Sequence, residues 1–130
     1  MSLTVWDASA LLLLLQQEPG WQELESRLPE SVMSAVNLSE VAAKLMESGG
    51  APGATQEVLD SLPLEIHDFT TALAYRAAAL RGSTKHLGLS LGDRACLALG
   101  LSLGSPVLTA DRAWLGLDLE VGVEFARSDR

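Results

Sequence analysis

Four carboxylates in this sequence share one kind of position, the place where an apolar run gives way to a helical one. Asp7 closes Leu3-Thr4-Val5-Trp6, and Asp111 follows Pro106-Val107-Leu108-Thr109. Glu40 falls early in the amphipathic stretch from Asn37, and Asp93 early in the stretch from Ser90. Each acid has an ordinary use there: a side-chain oxygen accepts orphan backbone N–H groups, and its charge faces the positive end of the helix dipole. Asn37-x-x-Glu40 and Ser90-x-x-Asp93 fit a capping box in outline. Four ionised, unpaired carboxylates at one edge would also repel one another, on the order of several kcal/mol. A hard divalent cation with oxygen ligands, Mg²⁺ or Mn²⁺, resolves that repulsion. Capping alone could use Ser or Asn; a metal site needs charge. With no Cys, Lys or His in an obvious nucleophile role, the chemistry this favours is metal-activated water attacking a phosphodiester. Such a reaction asks mainly for placement and charge neutralisation.

The elements that must bring these acids together alternate along the chain. Strand-like runs are expected at Leu3–Trp6, Ser31–Ala35, Leu64–His67, Pro106–Thr109 and Leu119–Phe125. Helices are expected at Ala8–Gln17, Trp21–Leu28, Asn37–Glu47, a short stretch ending at Leu59, Thr70–Arg81, Ser90–Leu103 and Arg112–Leu115. In the Asn37 helix, Leu38, Val41, Ala42 and Leu45 recur at i, i+3, i+4 and i+7, one apolar stripe. Ser48–Gly53 is the clearest loop, and Gly82–His86 reads as a flexible one. The alternation implies a three-layer α/β domain around a mainly parallel sheet of about five strands. No linker divides it, so residues 1–130 read as one domain. A helix that follows a parallel strand starts at the strand's C-terminal edge, which places Asp7, Glu40 and Asp111 on one edge. The Ser90 helix runs back into the Pro106 strand, so Asp93 starts at that same edge. Ligands of open α/β sheets bind there, where the strand order reverses.

Composition narrows the rest. The 130 residues carry a net charge of −8, which disfavours a coat for duplex DNA or a binder of anionic membranes. Setting the four acids aside leaves −4, an ordinary surface that does not exclude a nucleic-acid substrate. A hydrophobic fraction of 48% excludes a disordered acidic tail. The single Cys96 and the isolated His67 and His86 cannot assemble a Cys/His metal cluster. The leucine run at 11–15 lacks the basic flank and cleavage site of an export signal and is too short for a span, so a cytoplasmic address is expected.

At these residues the sequence resembles the PIN-domain family, and within it the VapC-type toxins of toxin–antitoxin pairs. The resemblance rests on Val5-Trp6-Asp7-Ala8-Ser9-Ala10-Leu11 and Ser34-Ala35-Val36-Asn37-Leu38-Ser39-Glu40-Val41. It continues in Gly88-Leu89-Ser90-Leu91-Gly92-Asp93-Arg94-Ala95-Cys96-Leu97-Ala98-Leu99 and Pro106-Val107-Leu108-Thr109-Ala110-Asp111-Arg112-Ala113-Trp114. The four segments stand in the family's order and cover essentially the whole chain; Gly100 stands where the family often has Ala. The resemblance implies a PIN-like sheet of order 3-2-1-4-5 and an endoribonuclease dependent on Mg²⁺ or Mn²⁺. It also implies a VapB-like antitoxin partner and a homodimer. It maps the acidic site onto Asp7, Glu40, Asp93 and Asp111, with Asp7 and Asp93 holding the metal most directly. Ser9 and Thr109 are its implied polar supports.

Further residues are weighed beside these. Arg94 and Arg112 each follow a site acid and are candidate contacts for RNA phosphates, as are Lys85 and His86 in their loop; surface pairing is the alternative for the arginines. Asp68 is expected to cap the Thr70 helix. Cys96 is expected to be a buried, inert thiol. Trp6, Trp21 and Trp114 read as packing residues and His67 as structural. Two other functions compete. A degenerate PIN module would bind RNA or a partner without cutting. A receiver-like signalling domain also gathers acids at a sheet edge, but it normally has paired acids after strand one and a late Lys, and both are missing here. The antitoxin is expected to reach the acidic edge with an Arg or Lys.

Overall fold

The computed structural model describes residues 2–126. Five short strands, β1 (Thr4–Trp6), β2 (Ser31–Ser34), β3 (Leu64–His67), β4 (Val107–Thr109) and β5 (Val123–Phe125), form one sheet of order β3-β2-β1-β4-β5. Every pairing in it is parallel, beyond the mainly parallel sheet expected. Val5 sits opposite both Val32 and Val107, so β1 is the central strand. From β1 the chain passes to β2 and β3 on one side and later to β4 and β5 on the other. The direction therefore reverses between β1 and β4.

Alternation along the central strands divides the core into two layers. Trp6, Met33 and Leu108 point to one face, against α1 (Ala8–Leu15), α2 (Trp21–Arg27), α3 (Ala35–Glu47) and α4 (Pro52–Asp60). Val5, Val32 and Val107 point to the other, against α5 (Thr71–Ala79) and α7 (Leu91–Leu103). Val5, Trp6, Val32, Met33, Val107 and Leu108 are all fully buried. Burial on both faces is what continuous apolar runs in a parallel sheet predict. Trp6 and Trp114 are buried packing residues, and Trp21 packs half-buried against the first layer.

Several expectations need correction. Helix α3 starts at Ala35, not Asn37: the Ser34 hydroxyl accepts from the Val36 N–H at 3.1 Å and caps it. The Asn37–Glu40 capping box is therefore absent. Helix α5 is capped by the Thr70 hydroxyl, which accepts from the Leu73 N–H, and not by Asp68. The 82–86 segment is not a flexible loop: α6 (Arg81–Thr84) leads into a 3₁₀ turn at Lys85–Leu87. Thr84 explains this, since its buried hydroxyl donates to the Leu80 carbonyl at 2.8 Å and locks the turn inward. The last strand covers only Val123–Phe125, because residues before it carry no ladder bonds until Gly122 meets Val107. No helix among the described residues is long and apolar enough to cross a membrane.

Candidate metal centre

Asp7 stands at the C-terminal end of β1, where its backbone N–H donates to the Leu108 carbonyl of β4 at 3.0 Å. Its carboxylate caps α1: Oδ1 accepts from the Ala10 N–H at 3.0 Å and from the Ser9 hydroxyl at 2.7 Å. Oδ2 accepts from the Thr109 hydroxyl at 2.5 Å. The two hydroxyls also accept, Ser9 from the Ala110 N–H at 2.9 Å and Thr109 from the Asp111 N–H at 2.9 Å. Each proton is thus already directed at Asp7, and the 3.3 Å between the hydroxyls is packing rather than a further bond. The residues expected to support the site tie the end of β1 to the end of β4.

Asp7 is only 3% exposed. Burial raises its pKa to about 6; the donors from Thr109, Ala10 and Ser9 oppose that rise, and the charge of Asp93 adds to it. Asp111 caps the 3₁₀ turn at Arg112–Gly116, its Oδ1 accepting from the Ala113 N–H at 2.9 Å. Asp93 completes the capping box of α7: its Oδ2 accepts from the Ser90 N–H at 2.9 Å, and its own N–H donates to the Ser90 hydroxyl at 3.2 Å. Glu40 caps nothing. It lies one turn into α3, where its Oε1 accepts from the Asn37 side-chain amide at 2.9 Å.

Asp7, Glu40, Asp93 and Asp111 line one open cleft of about 280 Å³, together with Ala8, Ser9, Leu12 and Lys44. It lies where the strand order reverses, as the chain alternation predicts. A larger concavity of about 440 Å³ between α3 and α4 is mostly apolar and lined by none of the four acids. Glu40, Asp93 and Asp111 each have one oxygen engaged by a protein donor, and Asp7 has both. Glu40, Asp93 and Asp111 keep the other oxygen without a hydrogen bond among the described residues, and Asp7 Oδ2 accepts a single one. Capping and cation binding therefore coexist on the same side chains. No three Asp, Glu, His or Cys side chains among the described residues already converge as a closed cage. The donor set is nonetheless all oxygen and strongly anionic, which suits Mg²⁺ or Mn²⁺, ions that take one or two carboxylates and keep several waters.

The basic residues singled out in the sequence do not line this cleft. Arg94 turns away, its Nη1 donating to the Ala77 carbonyl at 3.1 Å near the end of α5. The Arg112 guanidinium stacks over the Phe125 ring, 5.2 Å from its centroid. Lys85 and His86 are exposed on the 3₁₀ turn after α6. Sequence reasoning missed Lys44, which does line the cleft; its position one helical turn after Glu40 is the signal that could have found it. It also missed Asn37 as the partner of Glu40. Cys96 is fully buried, and burial, reinforced by the charges of Asp7, Asp93 and Glu40, pushes its thiol well above the ordinary range. It stays protonated beneath the site. His67 pairs with Glu65 on β3, away from the cleft.

The profile of the PIN domain matches residues 4–118. The chain belongs to the PIN-domain family. Solved structures sharing this PIN fold include a toxin–antitoxin complex from Klebsiella pneumoniae, at 21% identity and TM-score 0.75 over 97% of this chain and 99% of that one. Another is DNA-bound VapBC from Salmonella typhimurium, at 18% identity and TM-score 0.75 over 98% and 100%. A third is VapBC-5 from Mycobacterium tuberculosis, at 21% identity and TM-score 0.61 over 98% and 99%. At these identities the likeness speaks for the fold. No functionally curated protein matches the PIN chain.

Proposed function

We propose that the chain is a single PIN domain acting as a VapC-type toxin, a cytoplasmic endoribonuclease that depends on Mg²⁺ or Mn²⁺. The observation that carries this is the single cleft lined by Asp7, Glu40, Asp93 and Asp111, in which the last three are anchored through one oxygen and Asp7 through both, with lone-pair capacity left for a cation. Asp7 and Asp93 would hold the ion most directly, with Glu40 and Asp111 assisting. When bound, the ion would supply an activated water and neutralise charge developing on the phosphate. The chain's own part is placement. Ser9 and Thr109 hold the Asp7 carboxylate in one orientation, and the caps of α7 and the Arg112 turn fix Asp93 and Asp111. Lys44 offers the cleft a positive charge for a phosphate oxygen of the RNA.

The solved relatives that are toxin–antitoxin complexes support a VapB-like antitoxin as the inhibitor. An acidic cleft suits an antitoxin Arg or Lys that occupies the cation's place. A homodimer belongs to the same proposal. The deciding experiment incubates the purified, antitoxin-free protein with total RNA in Mg²⁺ or Mn²⁺. Cleavage is expected, abolished by EDTA and reduced more than about 100-fold in Asp7→Asn, beyond the range typical of outer-shell changes. Failure to cut any RNA with either ion, with Mn²⁺ binding intact, would leave a module that only binds.

A further inference from the structure

Glu40 differs from the other three acids in having no backbone donor; what holds it is a side chain from its own helix and a missing side chain on another. Asn37 is 1% exposed, and its amide nitrogen donates both to Glu40 Oε1 at 2.9 Å and to the Gly92 carbonyl at 3.0 Å. Two proton-free oxygens face that nitrogen, so the amide can sit only this way round. Its own Oδ1 is left buried without a partner among the described residues, an unfavourable arrangement that the two donated bonds must offset. Gly92, the second residue of α7, is buried against the Glu40 carboxylate, and a Cβ there would lie 2.5 Å from the carboxylate carbon. Gly92 is not among the glycines with positive φ, so no backbone constraint calls for glycine at that position. Close approach does.

We infer that Asn37 and Gly92 form a seat for the Glu40 carboxylate. Asn37 is a positioning residue that holds one oxygen and ties α3 to the first turn of α7. Gly92 leaves the space in which the carboxylate rests beside Asp93, the next residue along. Without the seat, Glu40 is a long side chain on an exposed stretch of helix, free to sample many rotamers. With it, the acid carried by α3 and the acid carried by α7 keep a constant spacing. At position 37 an Asp would set oxygen against oxygen, and Ala or Leu would offer no donor.

The inference rests on the metal-site reading, and Mn²⁺ titration without RNA tests the two separately. Asn37→Ala and Gly92→Ala are each expected to weaken Mn²⁺ binding roughly tenfold, the usual effect of losing an outer-shell support. The double variant Asn37→Ala/Glu40→Ala should bind no more weakly than Glu40→Ala alone, because the seat acts only through Glu40. Gly92→Ala keeps the trial decisive should Asn37→Ala fail to fold, since alanine favours the helix and the displaced group is a side-chain end. Wild-type affinity in Gly92→Ala, or in a folded Asn37→Ala whose melting temperature alone falls, would overturn the seat. An additive loss in the double variant would also overturn it. A wild type that takes up no Mn²⁺ would instead overturn the metal reading, and the seat with it.

Discussion

Asp7 and Glu40 face the same cleft, yet Asp7 is buried at a strand end and held by three donors, whereas Glu40 is exposed on a helix and held by one. The strand side of the cleft, Asp7 with Asp111, is set by the β1–β4 register and by two hydroxyls whose protons and lone pairs are both engaged. The helix side, Glu40 with Asp93, is set by how α3 lies against α7. Burial makes Asp7 costly to ionise, whereas Glu40, exposed and with a single donor, is harder to keep in place. The contrast suggests a division of labour: one carboxylate strained by burial that gains most from a cation, and others that adjust around it.

The widest gap between the two sides is expected on removing the Asp7 charge. Its pKa is about 6 when folded, against 3.8 ordinarily. The folded chain therefore binds this proton more tightly than the unfolded chain does. Below pH 3.8 both states are protonated and Asp7 has no effect on stability. As pH rises towards 6 the metal-free fold loses up to about 3 kcal/mol, and above 6 the loss is constant. In EDTA, Asp7→Asn should thus raise stability at pH 8 and lose that advantage near pH 4, read by urea melts at both values. The same substitution on the exposed side, Glu40→Gln, should do neither. Equal stability of Asp7→Asn and wild type at pH 8 would show that the donors already offset the burial.

A smaller effect is expected from the hydroxyl that bridges β4 to Asp7. Thr109→Val keeps shape but removes the donor to Asp7 and the acceptor for the Asp111 N–H. Stability should fall by about 1–3 kcal/mol, the range for stranding a buried polar partner. With a lowering influence gone, Asp7 should ionise at higher pH, so Mn²⁺ binding should need a higher pH than in wild type. Mn²⁺ titrations across pH 5–8 would show it, and an unchanged pH profile would count against preorganisation on the strand side.

The strand side was also the more legible in sequence. Asp7 and Asp111 directly follow strand-like runs, where an abrupt change to helix marks the edge, while Ser9 and Thr109 were legible only through the family resemblance. The sheet order came from the family resemblance, and the structure has it. The helix side was read less well, because capping rules are local and tertiary packing decided it. Asn37 looked like a cap and is a buried bridge to Gly92, an arrangement that requires knowing α3 lies on α7. The 82–86 segment misled through composition: Gly, Ser and Thr signal a loop, but Thr84 is fully buried and donates to Leu80, which turns the segment helical. Arg94 and Arg112 were adjacent to site acids in sequence and directed elsewhere by their partners, Ala77 and Phe125.

The smallest expected effect belongs to Lys44, on the exposed side. It lines the acidic cleft without an ion pair within 4.0 Å among the described residues, since the ion pairs there are Arg27–Glu124 and His67–Glu65. A flexible, exposed ammonium of this kind contributes little to folding and more to meeting a phosphate. Lys44→Gln should leave folding stability within about 0.5 kcal/mol of wild type, as surface substitutions usually do. RNA binding should weaken modestly, and the salt dependence of that binding should lose about one phosphate contact. Mn²⁺ affinity should hold or rise slightly, because a positive charge has left the cleft. Asp7→Asn should show the reverse, with metal binding lost. If Lys44→Gln also weakened Mn²⁺ binding, Lys44 would belong to the scaffold of the helix side rather than to its substrate face.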